Sequence, residues 1–296
     1  MAVHRPMIDS NLPLAIAAIC AGLGFLVLND AIAKLLTERY HPMQIIAIRN
    51  MLAVPMIVAI VLVVSGRRGL FSRHLKMHAL RGVLMLGGAF CYFSALRVMP
   101  LAEATALVFS APLFIAALSM PLLGESVGRR QWVAVLIGFC GVLVIVQPGS
   151  ETFQPAALLV LGTAVLYALF MMLARFIGRD EGLWSMMLFV VLFPGMYAIP
   201  FAFTVWVPID VADFVLFLSI AVLGSLGITL IGQAFRLAPA AVVAPFDYTA
   251  LIWATGLGWL IWGDLPGLWT LVGAAIIIVS GLLILWRGKT NGPAAR

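Results

Sequence analysis

Most side chains in this sequence that can do polar chemistry at depth lie inside or at the ends of long apolar runs. Asp247 stands in Pro245-Phe246-Asp247-Tyr248-Thr249, about 7 residues into such a run and so roughly 10 Å deep if the run is helical. Gln233 reaches a similar depth on the preceding run. Pro245 removes a backbone donor and frees a carbonyl one turn earlier, which makes the local environment polar. A carboxylate at that depth is costly unless it is paired or faces water. Asp247 therefore reads as a site for a substrate ammonium or a proton, or else as an acid that only hydrogen-bonds its neighbours.

A second set lies nearer the opposite end of the runs. Asp30 and Lys34 are four residues apart, so they share one helical face. Arg49 falls at a comparable depth on the next run, and an Asp30–Arg49 pair would satisfy both charges. Such a pair suits a gate, a carboxylate clamp on a substrate through Arg49, or a structural bolt. Arg97 and Glu103 flank a short turn and are expected to pair at the interface or to act as an outer gate. The aromatics Tyr92, Phe109, Tyr167, Tyr248 and Trp253 offer flat apolar faces with polar tips on Tyr and Trp, suited to an amphipathic metabolite or a cation. Each is equally at home in packing or lipid contact.

The elements that must position these residues are membrane helices. Hydrophobic residues make up 64% of the 296 residues and charged residues 10%, against about 25% charged in a soluble domain. Mean hydropathy is +1.12. Ten segments of spanning length follow, at 12–36, 43–64, 77–97, 101–123, 131–147, 155–177, 183–206, 211–235, 240–262 and 268–286. The first is too long for a signal-peptide core, so it is expected to remain as a helix. Continuous runs of this length exclude the alternation of a β-barrel. The net charge of +6 is no nucleic-acid signal, because its meaning lies in the loops. Cys20, Cys91 and Cys140 all fall in apolar runs and read as small buried hydrophobes.

With ten spans both termini share one side. That side collects fourteen Lys and Arg residues, including Arg67, Arg68, Arg73, Lys76, Arg81, Arg129, Arg130, Arg175 and Arg179, against Lys34, Arg39 and Arg97 on the other. The positive-inside rule makes it the cytoplasmic side of a cell inner membrane. Pro55, Pro112, Pro194 and Pro245 sit inside spans and are expected to kink or interrupt them.

The chain also repeats itself. Ala95-Leu-Arg97-Val-Met-Pro100-Leu-Ala102 returns 139 residues later as Ala234-Phe-Arg236-Leu-Ala-Pro239-Ala-Ala241. The same shift sets Pro55 on Pro194, Gly88 on Gly227, Gly124-Glu125 on Gly263-Asp264 and Ile137 on Ile276. Five spans per copy, an odd number, require the second copy to enter from the opposite side, giving an inverted repeat. Residues 1–149 and 150–296 are the expected units.

This layout resembles the ten-helix, EamA-type branch of the drug/metabolite transporter superfamily, as do the Arg-x-x-Pro-x-x-x-Ala turn and the Gly-Glu/Gly-Asp that closes the fourth span. The resemblance covers about residues 12–287. It implies spans 1–4 and 6–9 around a central cavity, spans 5 and 10 at the edge, and a small solute such as an amino acid, an S-adenosylmethionine-like compound or a vitamin. The fold class expected is thus an all-α integral membrane protein of two five-helix inverted repeats. The function that the resemblance implies is secondary transport across the inner membrane by alternating access.

Asp247, Tyr248, Gln233, Tyr92, Trp253, Phe109, Tyr167 and Arg49 are the expected substrate-binding residues. Asp30, Lys34, Arg49, Arg97 and Glu103 are the expected gating or ion-pair residues. No metal-ligand spacing, phosphate loop or serine elbow is present, so neither a metal nor a cofactor is expected. The competing class is a membrane-embedded enzyme or a non-transporting scaffold, and an enzyme would gather acid, base or metal ligands at one depth. The expected partners are a small-molecule substrate, bilayer lipid and a coupling proton, with no nucleic acid and a monomeric chain.

Overall fold

In lipid every backbone N–H and C=O must find an internal partner, which helices provide within one segment. The computed structural model describes residues 12–123, 128–150, 153–177 and 181–287, and these contain no strand. The helices are α1 (Leu12–Thr37), α2 (Pro42–Ser65), α3 (Leu75–Leu96), α4 (Leu101–Val108), α5 (Ala111–Leu123), α6 (Arg129–Val146), α7 (Ala156–Ile177), α8 (Leu183–Thr204), α9 (Val211–Leu237), α10 (Ala240–Val243), α11 (Thr249–Trp262) and α12 (Leu268–Arg287). Short 3-10 turns fill Arg67–Leu70 and Ala244–Tyr248. Among the described residues seven segments are long and apolar enough to cross a membrane, and α6 and α12 contain shorter apolar stretches. With α10–α11 they make up the ten segments read from the sequence.

Two spans expected as continuous helices are broken. Span 4 stops at Val108, turns through Phe109-Ser110 and restarts as α5. Pro112 explains this: lacking an N–H, it cannot bond the Val108 carbonyl four residues back. Span 9 is α10, the 3-10 turn and α11, with Pro245 at the start of the turn. Its tighter winding gives i→i+3 bonds, and the Thr249 N–H closes it on Phe246 O. The 139-residue offset carries Phe109 onto Tyr248, so both breaks fall at one position of the repeat although different prolines cause them. Pro55 and Pro194 stay inside α2 and α8 without ending either helix.

Packing obeys the same offset. α1 lies on α9 and α3 on α7; α2 packs against α8 and α6 against α12. Shifting by 139 turns the first pair into the second and returns each of the other two onto itself. Close approach makes these crossings, since lipid supplies no hydrophobic drive between helices. A Cβ on Gly22 would lie 2.9 Å from Gly227 O, and one on Gly227 would lie 2.8 Å from Gly22 O. On α6 and α12, a Cβ on Gly141 would meet Gly273 O at 2.8 Å, and Ser280 donates its hydroxyl to Ala134 O. The offset exchanges those two contacts, because Gly141 falls on Ser280 and Ala134 on Gly273. Phe93, Leu96, Leu107, Phe217 and Ile220 are fully or almost fully buried in the core where α1, α3, α4 and α9 meet.

Candidate functional site

Asp30 on α1 is the centre of a polar cluster inside the bundle. It accepts a hydrogen bond from its neighbour Asn29 at 2.9 Å and another from the Tyr92 hydroxyl on α3 at 3.3 Å. Arg49 on α2 is near enough for its charge to act on Asp30. The direct Asp30–Arg49 pair expected from the sequence does not form, since the ion pairs within 4.0 Å among the described residues are Lys34–Asp264, Arg39–Asp210, Arg39–Asp213 and His78–Glu181. The guanidinium instead lies beside Gly224 of α9, where a Cβ would meet it at 3.9 Å. The two groups therefore do not neutralise each other in direct contact. Asn29 is buried, and its Oδ1 has no donor among the described residues. Nothing in the sequence distinguished it from a packing residue.

Asp247 lies on the 3-10 turn, half-buried. Tyr167 of α7 is within range of its charge and 42 % exposed. Neither Gln233 nor Tyr248 hydrogen-bonds Asp247 among the described residues, although the sequence puts Gln233 at a similar depth and Tyr248 beside it. Tyr248 is drawn the other way. Its ring meets Phe109 edge-on at 5.1 Å and 81°, while its hydroxyl fills the space left by the absent side chain of Gly281 on α12. Trp253 is 45 % exposed; its indole packs on Gly24 and donates to Cys20 O at 3.2 Å, tying α11 to α1. Of the expected substrate aromatics, Tyr92 and Tyr167 stand beside carboxylates, whereas Phe109, Tyr248 and Trp253 join helices.

Lys34 does not share its charge with Asp30. It reaches the α3–α4 turn, donating to Met99 O at 2.7 Å, and lies 4.0 Å from Asp264 and 4.6 Å over the Trp262 ring. Glu103 accepts from Thr270 of α12 at 3.4 Å. The expected Arg97–Glu103 pair is absent: Arg97 is exposed at the end of α3, and the α4 start turns Glu103 towards α12.

Two further ties join connections distant in sequence, and sequence reasoning missed both. Between the α1–α2 and α8–α9 connections, Arg39 pairs with Asp210 at 2.6 Å and Asp213 at 3.0 Å, and Tyr40 donates to Asp213 at 2.7 Å. Burial, and then that donated bond, push the Tyr40 hydroxyl above its ordinary range. Gln44 clamps the Val207 backbone through both its donor and its acceptor, at 2.6 and 2.9 Å. Between the α2–α3 and α7–α8 connections, Glu181 meets His78 at 2.7 Å and accepts from Ser72. Burial alone would raise the Glu181 carboxyl, but the bonds from Ser72 and His78 and the charges of His78 and His74 outweigh it and hold the group below its ordinary range. These partners are over a hundred residues apart, and residue type alone does not match them.

Comparison with known proteins then places the chain. The model of the EamA-like transporter family matches residues 11–147 and again 154–286. An S-adenosylmethionine uptake transporter of Rickettsia bellii is 28% identical over 261 residues, covering 88% of this chain and 89% of that protein. A riboflavin transporter of Rhizobium johnstonii is 33% identical over 211 residues, covering 70% and 69%. A pseudopaline exporter of Pseudomonas aeruginosa is 27% identical over 265 residues, covering 89% and 92%. A solved crystal structure superposes with a TM-score of 0.62 at 19% identity over 93% of this chain and 99% of its own, which speaks to the fold.

Proposed function

The chain belongs to the EamA-like transporter family, a multi-pass membrane transporter of small molecules and not an enzyme, and from that premise we propose that it is a secondary carrier working by alternating access between two inverted repeats, 1–149 and 150–296. The observation that carries this reading is the contact between Phe109 and Tyr248. They are equivalent positions of the two repeats, and equivalent positions touch where a two-fold axis passes between them. The self-paired crossings α2·α8 and α6·α12 support the same axis, lying in the membrane plane with both termini cytoplasmic. Carriers of this build place the solute at the repeat interface. Here the breaks in spans 4 and 9 meet at that interface, and a broken helix exposes backbone groups that a polar solute can use.

The solute is an amino-acid-like, S-adenosylmethionine-like or vitamin-like compound, moved across the inner membrane by a monomer. Asp247 with Tyr167, and Asp30 with Tyr92 and Arg49, supply the polar contacts. Asp247 is the group that takes a substrate ammonium or a coupling proton. No Lys, Arg or His side chain lies within 4.0 Å of its carboxylate among the described residues, which leaves its charge to a ligand. Asp247→Asn keeps size and removes charge. In proteoliposomes loaded with radiolabelled S-adenosylmethionine, riboflavin or amino acids, it should fold normally and lose most flux, or lose its pH dependence. Wild-type flux with a wild-type pH profile in that variant would reduce Asp247 to a structural hydrogen-bonding residue.

A further inference from the structure

Arg81 stands apart from every charge described so far. It lies two turns into α3 and is 4 % exposed, with its guanidinium carbon 4.2 Å from the centroid of the Phe170 ring on α7. Its Nε and Nη1 find no acceptor among the described residues. Glu181 acts on it only at a distance, because that carboxylate is engaged by Ser72 and His78.

A buried guanidinium without an acceptor is costly, and cations kept at membrane depth mark ligand or ion paths more often than scaffolding. The fold itself requires no cation there. The equivalent position of the other repeat is Ile220, fully buried in the apolar core. Phe170 also belongs to a row. Its ring stacks on Tyr167 with centroids 6.2 Å apart and planes at 29°, and Tyr167 stands within range of Asp247. A cation, two aromatic faces and a carboxylate therefore follow one another from α3 across α7 to the 3-10 turn of span 9.

We propose that Arg81 is an anion-holding residue of the solute path, receiving a carboxylate on its free N–H groups while Phe170 fixes the guanidinium plane. The inference rests on the reading of a path between the repeats and gives that path a polarity: the anionic end of a solute lies at Arg81 and the cationic end at Asp247. Guanidinium donors suit a carboxylate in geometry as well as charge, and an aromatic solute body would lie along Tyr167, the exposed ring of the row.

The test uses the full-length protein in detergent, with benzoate as an aromatic carboxylate probe and benzamide as its uncharged counterpart. Phenylglyoxal labelling read by peptide mass spectrometry should modify Arg81, and benzoate should slow that modification about threefold or more at concentrations that occupy the site, while benzamide leaves it unchanged. Labelling of Arg67 and Arg68 should respond to neither. Arg81→Met removes a buried charge that has no acceptor, so it should melt at the wild-type temperature or higher and lose the stabilisation that benzoate gives the wild type. An unreactive Arg81, equal labelling with both probes, or an Arg81→Met protein that melts lower would make the guanidinium a structural member of the α3–α7 crossing. None of these readouts is a flux measurement, so failure of the carrier reading in proteoliposomes stays distinguishable from failure of the Arg81 site.

Discussion

At one end of the bundle the α1–α2 and α8–α9 connections are held together by Arg39, Tyr40 and Gln44. At the other end the α7–α8 and α2–α3 connections are held by Glu181, His78 and Ser72. The 139-residue offset converts the first pair of connections into the second, yet no side chain of one tie is equivalent to a side chain doing the same work in the other. Charge runs the opposite way: the basic partner comes from the first connection in one tie, and the acidic partner comes from the equivalent connection in the other. Burial differs too. Arg39 and Asp210 are 54% and 57% exposed, whereas His78 and Glu181 are 1% and 9% exposed. The lesson is that duplication preserved the frame and left each end free to acquire its own closure. Lys34 extends the contrast. It binds the α3–α4 turn, and its equivalent in the other repeat is the apolar Leu173. The outer halves of spans 4 and 9 pack as α4 on α11, but the equivalent α5 and α10 are not a closely packed pair among the described residues.

The contrast breaks most severely at the buried tie. Glu181→Ala leaves His78 buried without its acid, and losing one member of a buried pair costs about 3 kcal/mol. Thermal unfolding in detergent should show the drop, with Glu181→Gln intermediate. The pH dependence has a definite sign. The folded carboxyl sits below its ordinary value of 4.5, so its contribution is present above about pH 4.5 and lost as pH falls through the folded value. The stability gap between wild type and Glu181→Gln should therefore close in acid, and a gap that widens there would contradict the assignment.

A change to the shared frame comes next. Gly141→Val places carbon 2.8 Å from Gly273 O, and overpacking of this kind costs about 2 kcal/mol. It should lower the melting temperature without altering solute preference in flux competition. Lys34→Met removes a charge-assisted bond to Met99 O, worth about 1.5 kcal/mol, from only one end. Maleimide labelling of a cysteine placed at Met99 should rise in that variant and should not rise in Leu173→Met. The smallest effect belongs to the exposed tie: Arg39→Gln should leave the melting temperature within error at 0.15 M salt, because exposed pairs in high dielectric contribute little. A drop comparable to that of Glu181→Ala would erase the distinction between the two ends.

The sequence by itself determined the ten apolar segments, the all-helical class and the repeat. These depend on run length, composition and a constant offset, and each is a property of neighbours along the chain. It also marked Asp30, Arg49, Lys34 and Asp247 as costly charges, since an ion in an apolar run is anomalous wherever the run ends up. Their partners were another matter. Lys34 turned from Asp30 to Met99 and Asp264, Glu103 turned from Arg97 to Thr270, and Tyr248 left Asp247 for Gly281. Arg81 drew notice only as one loop charge among fourteen. Helix spacing says which residues share a face, but not which way that face turns in the bundle. Rotation about a helix axis is decided by the closest crossings, here Gly22 on Gly227 and Gly141 on Gly273. Those contacts join residues more than a hundred positions apart, so only the tertiary structure could choose which charges meet and which stay apart.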